Sequence, residues 1–120
     1  MKYMLLIYGN EALWSSLPRD EHQRLVAETD ALHEELRGTG EYVCAFGVGD
    51  QELAKTVHLE DGAPVVSDGP YIETKEYLGS FDIIEVDSEE RALEIAAKVP
   101  SARLTRVEVK PIMHEAASDL

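Results

Sequence analysis

The chain is 120 residues long, 44% apolar and 29% charged, the size and make-up of one globular domain rather than of a disordered or multidomain protein. Its 11 Lys and Arg against 24 Asp and Glu give a net charge of −13, which repels phosphate backbones and anionic lipid, so neither nucleic acid nor a membrane surface is an expected partner. The single cysteine, Cys44, excludes an internal disulfide and, within an apolar run, reads as a small core residue.

In chain order, residues 3–8 form a short apolar run stopped by Gly9 and Asn10, the pattern of a strand buried on both faces. The apolar opening is too short to span a membrane and is followed by no small-residue cleavage site, so a cytoplasmic location is expected. Ser16 is placed to cap a helix with Pro18 in its first turn and Asp20 and Glu21 near its positive end; Gly38 and Gly40 stop it. Leu25, Val26, Thr29, Leu32 and Leu36 recur at helical spacing and form its inward stripe. Residues 41–48 and 79–86 read as further two-sided strands. Asp87 or Ser88 caps a second helix with Ala92, Leu93, Ala96 and Val99 as its buried stripe, ended by Pro100. Residues 104–110 alternate cleanly, which suits an edge strand.

Strand, helix, strand, then strand, helix, strand is the split β-α-β pattern of an α+β, ferredoxin-like fold with both helices on one face of a four-stranded antiparallel sheet. A single domain over residues 1–114 is expected, with 115–120 a flexible tail. Residues 49–76 are surplus to that minimal fold. Two short apolar runs flanking Asp61 and Gly62 mark an inserted, projecting β-hairpin. The helices cover one face only, and apolar residues on the other call for a second copy of the chain, so a homodimer is expected.

After the hairpin comes Asp68-Gly69-Pro70-Tyr71-Ile72-Glu73-Thr74-Lys75-Glu76, followed by Leu78-Gly79. Gly69-Pro70 sets a turn that the Asp68 carboxylate can cap. The density of acids, hydroxyl and amine exceeds what any hydrophobic pattern requires; a plain solvated turn with Lys75 paired to its acidic neighbours is the bland alternative. This block, with the opening residues 2–9 and the closing residues 107–112, resembles the YCII-related proteins of bacteria, and within them the branch named for an Asp-Gly-Pro-Phe motif. Tyr71 stands where that motif has Phe, and Lys110 where Arg is common. The resemblance implies a ferredoxin-like dimeric α+β barrel. It also implies a kinship with dehalogenating or hydrolytic enzymes that use a His and Asp pair, for which His22 and Asp68 are the matching residues here.

On its own position, His22 lies on the inward side of the first turn, where a helix N-terminus favours the neutral imidazole, and it is expected to reach the mouth of a sheet-sheet cleft. His33, His58 and His114 read as structural or surface residues. Asp68 and Glu73 are the acidic candidates beside His22, and Lys75, Tyr71 and Glu76 the candidate binding residues. The histidines lack metal-ligand spacing, and no phosphate loop, nucleophile elbow or dinucleotide fingerprint occurs, so no metal and no cofactor are expected. Two functions fit: a cofactor-independent enzyme of proton transfer, elimination or hydrolysis with a cleft near residues 68–76, or a non-catalytic dimeric module that binds a small-molecule ligand or a regulatory partner.

Overall fold

A computed structural model describes residues 1–119. Leu120, the end of the expected flexible tail, lies outside the described residues. Six strands and three α-helices follow the order β1 (Lys2–Gly9), α1 (Glu11–Ser16), α2 (Arg19–Thr39), β2 (Tyr42–Gly47), β3 (Lys55–Glu60), β4 (Ala63–Asp68), β5 (Tyr77–Glu85), α3 (Glu89–Lys98) and β6 (Val107–Pro111). The main sheet is four-stranded and antiparallel in the order β2-β5-β1-β6, the arrangement of the split β-α-β, ferredoxin-like fold. The sheet is open, not a closed barrel, and β6 takes the edge position its alternation suggests.

Burial along β1 alternates strictly. Tyr3, Leu5 and Ile7 are buried under the helices, and Met4, Leu6 and Tyr8 stay half-exposed on the other face. Leu32 and Leu36 of α2 and Ala92, Ile95 and Ala96 of α3 pack with Ile84, Val86 and Val99 on the covered face. Leu93, expected inward, is exposed, and Ile95 takes its place at the spacing Ala92, Ile95, Ala96, Val99. The molecule is only 18 Å thick along its shortest axis, room for one sheet and one helix layer.

Helix ends differ from the sequence expectation at Ser16 and at Gly38. Ser16 caps nothing; its hydroxyl donates to the Leu13 carbonyl at the end of the short helix α1. Asn10 instead caps α1, a helix the sequence did not announce, its Oδ1 accepting from Leu13 N at 2.7 Å. Pro18 occupies the N-cap of α2 without a side-chain bond, the helix runs on through Gly38, and Gly40, at φ 81°, closes it in the left-handed conformation. Ser88 caps α3.

The hairpin β3-β4 forms its own two-stranded sheet, turned by Asp61 (φ 49°) and Gly62 (φ 81°), as the sequence suggests. Two bulges interrupt the main sheet. Val43 is the extra residue between Tyr42, opposite Ile84, and Cys44, opposite Ile83. Gly79 is the extra residue between Ser80, opposite Ile7, and Leu78, opposite Tyr8.

Candidate functional site

The first bulge decides where chemistry gathers. Without the extra Val43, Tyr42 would share the uncovered face with Cys44 and Phe46; with it, Tyr42 and Ala45 both turn toward the helices. Tyr42 meets the His33 ring at 5.2 Å between centroids, and the Arg37 guanidinium lies 4.4 Å from the tyrosine ring centre. From β5, Asp82 also points to the helix side and is the buried charged residue of the core, 5% exposed. Its Oδ2 lies 3.1 Å from His33 Nε2.

Burial pushes the Asp82 carboxyl above its ordinary range, with the hydrogen bond from His33 opposing that rise. With the Nε2 proton donated to Asp82, the imidazole lone pair lies on Nδ1, which has no hydrogen bond among the described residues. The pair borders a cleft of about 270 Å³ between the sheet and α2, lined by Thr29, Tyr42, Ser80 and Ser101 with Ile7, Ala45, Phe46 and Val99. Such an arrangement can take up and return a proton next to a small bound molecule.

Residues 68–76 build a second hollow. Gly69, at φ 91°, is clamped to the start of β3 by Gly69 N to Ala54 O at 2.8 Å and Thr56 Oγ1 to Gly69 O at 2.8 Å. Gln51 holds Thr74 from both sides, Nε2 donating to Thr74 O at 2.8 Å and Oε1 accepting from Thr74 N at 3.1 Å. Tyr77 donates its hydroxyl to Asp50 Oδ1 at 3.2 Å, and desolvation foremost, with that bond adding, raises the phenol above its usual range. The resulting cavity of about 430 Å³ is lined by Glu73, Thr74, Gly69 and Pro70 with Asp50, Gln51, Glu52, Glu11 and Tyr77.

The six residues singled out in the sequence fall into separate places. His22 is exposed and lines a shallow hollow of about 240 Å³ with Trp14, Leu25, Val26, Thr29, Asp30 and Ser101, on the helix side of the sheet. Asp68 does not cap the Gly69-Pro70 turn; it ends β4 with its carboxylate on Lys55. His22 and Asp68 share neither a hydrogen bond nor one of these cavities. Glu73 lines the loop cavity without an ion pair among the described residues, and Lys75 likewise pairs with none of its acidic neighbours. Tyr71 stands 86% exposed, and Glu76 accepts from Asn10 Nδ2 at 2.9 Å.

Sequence reasoning therefore missed the His33-Asp82 pair, the closest His-Asp pairing among the described residues. Its signal was present in halves. Asp82 is a lone acid in the apolar run Phe81 to Ile84, and His33 follows Thr29 by one helical turn beside the Leu32-Leu36 stripe.

The family model described as a YCII-related domain matches residues 1–115. An uncharacterised protein of Rhizobium meliloti (strain 1021) is 28% identical over 114 residues, covering 93% of this chain and 92% of its own length.

Proposed function

The chain belongs to the YCII-related family, and from that premise we propose that it is a cofactor-independent enzyme of small molecules, working by proton transfer at His33 and Asp82. The observation that carries this reading is the 3.1 Å contact of a buried carboxyl with an imidazole at the wall of a cleft. Nδ1 of His33 takes the substrate's proton, Asp82 holds the imidazole in one tautomer and offsets the imidazolium that forms, and the same proton is returned to the product or leaving group. A cleft of about 270 Å³ admits a compound of modest size, and the Ser80, Ser101 and Thr29 hydroxyls offer it polar contacts.

A generic base probe tests this. Ring opening of a nitrobenzisoxazole needs only one proton removed, so the wild type should accelerate it with saturation. His33→Asn and Asp82→Asn should each lose most of that rate, and His22→Asn should keep it. Equal rates in all four proteins would remove the basis for the reading.

The rival is a non-catalytic ligand-binding module centred on residues 68–76, and one observation favours it: Glu73 borders the 430 Å³ cavity uncommitted. There Glu73 would be the anchoring acid, with Tyr71, Lys75 and Glu76 around it; Asp68 would act through Lys55 on the loop base, and His22 would take no part. Glu73→Gln abolishing ligand-induced thermal shifts, with His33→Asn leaving them intact, would favour this reading.

Either reading is proposed to operate in a two-fold dimer. Met4, Leu6 and Tyr8 of β1, Phe81 and Ile83 of β5 and Cys44 and Phe46 of β2 share the uncovered face by register. Phe46 is 59% exposed, and its ring lies 5.8 Å from that of Phe81. A second sheet packed there would complete a dimeric α+β barrel. Sedimentation equilibrium returning twice the chain mass is the expected result, and a stable monomer at high concentration would exclude it.

A further inference from the structure

A cavity of about 670 Å³ opens where the end of β1, α1 and the approach to β6 meet. It shares no lining residue with the His33 cleft or the loop cavity. Tyr8, Asn10, Glu76, Thr105, Arg106 and Glu108 give it a polar lining of both signs.

Two of these side chains are held or left free in a telling way. Asn10 is fixed at both ends of its amide: Oδ1 accepts from Leu13 N at 2.7 Å as the cap of α1, and Nδ2 donates to Glu76 Oε1 at 2.9 Å. A helix cap thus orients a carboxylate at the wall, with one oxygen engaged and the other available. Arg106 has its backbone pinned by Tyr8 N to Arg106 O at 3.4 Å. Its guanidinium makes no ion pair among the described residues, although Glu76 and Glu108 line the same cavity. In a chain with 24 acids against 11 basic residues, Arg24, Arg37, Arg91 and Arg103 each reach a carboxylate; Arg19 and Arg106 reach none among the described residues, and of these two it is Arg106 that lines this cavity. The separation of Arg106 from Glu76 leaves a cationic fork and an anionic group on one cavity without mutual neutralisation.

We propose that this cavity binds a small zwitterion, an amino acid or a related amino-carboxylate, with the ligand's carboxylate on the Arg106 guanidinium and its ammonium on Glu76. A planar guanidinium suits a carboxylate in a two-bond fork, and an ammonium suits a carboxylate already oriented by a fixed donor. The Tyr8 and Thr105 hydroxyls stand on the same lining as further neutral contacts. This site is independent of the His33 cleft.

The test uses glycine, γ-aminobutyrate and ε-aminohexanoate as zwitterions of growing charge separation, with butyrate and butylamine as singly charged controls. Thermal shift and calorimetric titration of the full chain should show at least one zwitterion binding saturably and raising Tm by a few degrees, and neither control doing so. Arg106→Gln and Glu76→Gln should each weaken that binding at least about tenfold, and Arg106→Lys should weaken it less, because the charge survives but the fork does not. No binding by any zwitterion overturns the proposal. So does equal binding by the controls, a comparison that needs no variant, or undiminished binding by Arg106→Gln folded as judged by circular dichroism.

Discussion

The two faces of the main sheet draw on similar apolar residues and meet opposite fates. On one, Leu5, Ile84, Leu36 and Ile95 are completely enclosed, and the polar intrusion they tolerate, Asp82, has a partner in His33. On the other, Met4, Leu6, Tyr8 and Phe46 keep part of their surface in water, and the charges collect at the edge strand, where Glu108 and Lys110 stand opposite Leu6 and Met4. A packed face fixes geometry closely enough to hold a His-Asp pair at hydrogen-bond distance; an open face leaves apolar area in water.

The largest expected effect separates the faces directly. Leu5→Ala empties a site with no solvent exposure and should cost about 2–5 kcal/mol in denaturant unfolding, the range for leucine truncation in a closed core. Leu6→Ala, one residue along and on the other face, should act through association. With the proposed pairing its loss of Tm depends on protein concentration; a small loss independent of concentration would leave the open face bare.

Next is the end of the same strand. A Cβ built on Gly9 would stand 2.1 Å from the Trp14 ring, so this glycine is what lets the indole lie against the β1 backbone. Gly9→Ala should cost about 1–3 kcal/mol, as overpacking does, and should shift the tryptophan fluorescence as the ring moves away. Unchanged emission and stability would mean that Trp14 packs elsewhere in solution.

How much of this could be read in advance follows from what each feature depends on. The strands and the α3 cap are local: the apolar run at β1 and the Asp87-Ser88 pair before Glu89 and Glu90 announce them, and the structure adds the one-sided burial of β1 and the choice of Ser88. The hairpin turn was equally plain in Asp61-Gly62, because few residues accept positive φ. Ser16 reads as a cap for α2, but it ends a separate helix, α1, which Asn10 caps and which is too short to show a hydrophobic period. The His33-Asp82 pair was hidden because its members lie 49 residues apart and meet only through sheet register, which the Val43 bulge then shifts for Tyr42. Asp68 was read as a turn cap when the partner that claims it, Lys55, lies across the hairpin.

A smaller effect contrasts two carboxylates instead of two faces. Glu41, just before β2, receives both Nε and Nη2 of Arg91 on α3 at 2.8 Å, and this pairing, with Thr39 adding, lowers its pKa to about 2. A folded-state value below the unfolded one means that the stabilisation is complete above the ordinary carboxylate range and drains away as pH falls from about 4.5 toward about 2. Asp82 has the opposite sign. Its pKa is raised, so its contribution is fullest in acid and is lost as pH rises past the ordinary carboxylate range. Glu41→Gln should therefore cost about 1–2 kcal/mol at neutral pH and flatten the acid limb of the stability profile, whereas Asp82→Asn should leave that limb in place. If the acid limb is the same in Glu41→Gln and wild type, other carboxylates control it.

The smallest effect concerns the hairpin, which shares neither face of the main sheet. Asp68 lies at its base with the side chain 88% exposed, facing Lys55, itself 60% exposed. An ion pair so open to water is screened and pays rotamer entropy on both sides, and exposed pairs of this kind contribute about 0–1 kcal/mol. The strands also have support of their own, since Lys55 and Asp68 close a ladder of six paired positions and Gly69 is tied separately to Ala54 and Thr56. Asp68→Ala should thus leave global unfolding almost unchanged and register only as faster amide exchange at the hairpin base, near residues 54–56 and 67–69. A loss well beyond about 1 kcal/mol would mean that the hairpin is coupled to the core through its base, and the separation between a rigid sheet and a free-standing hairpin would fail.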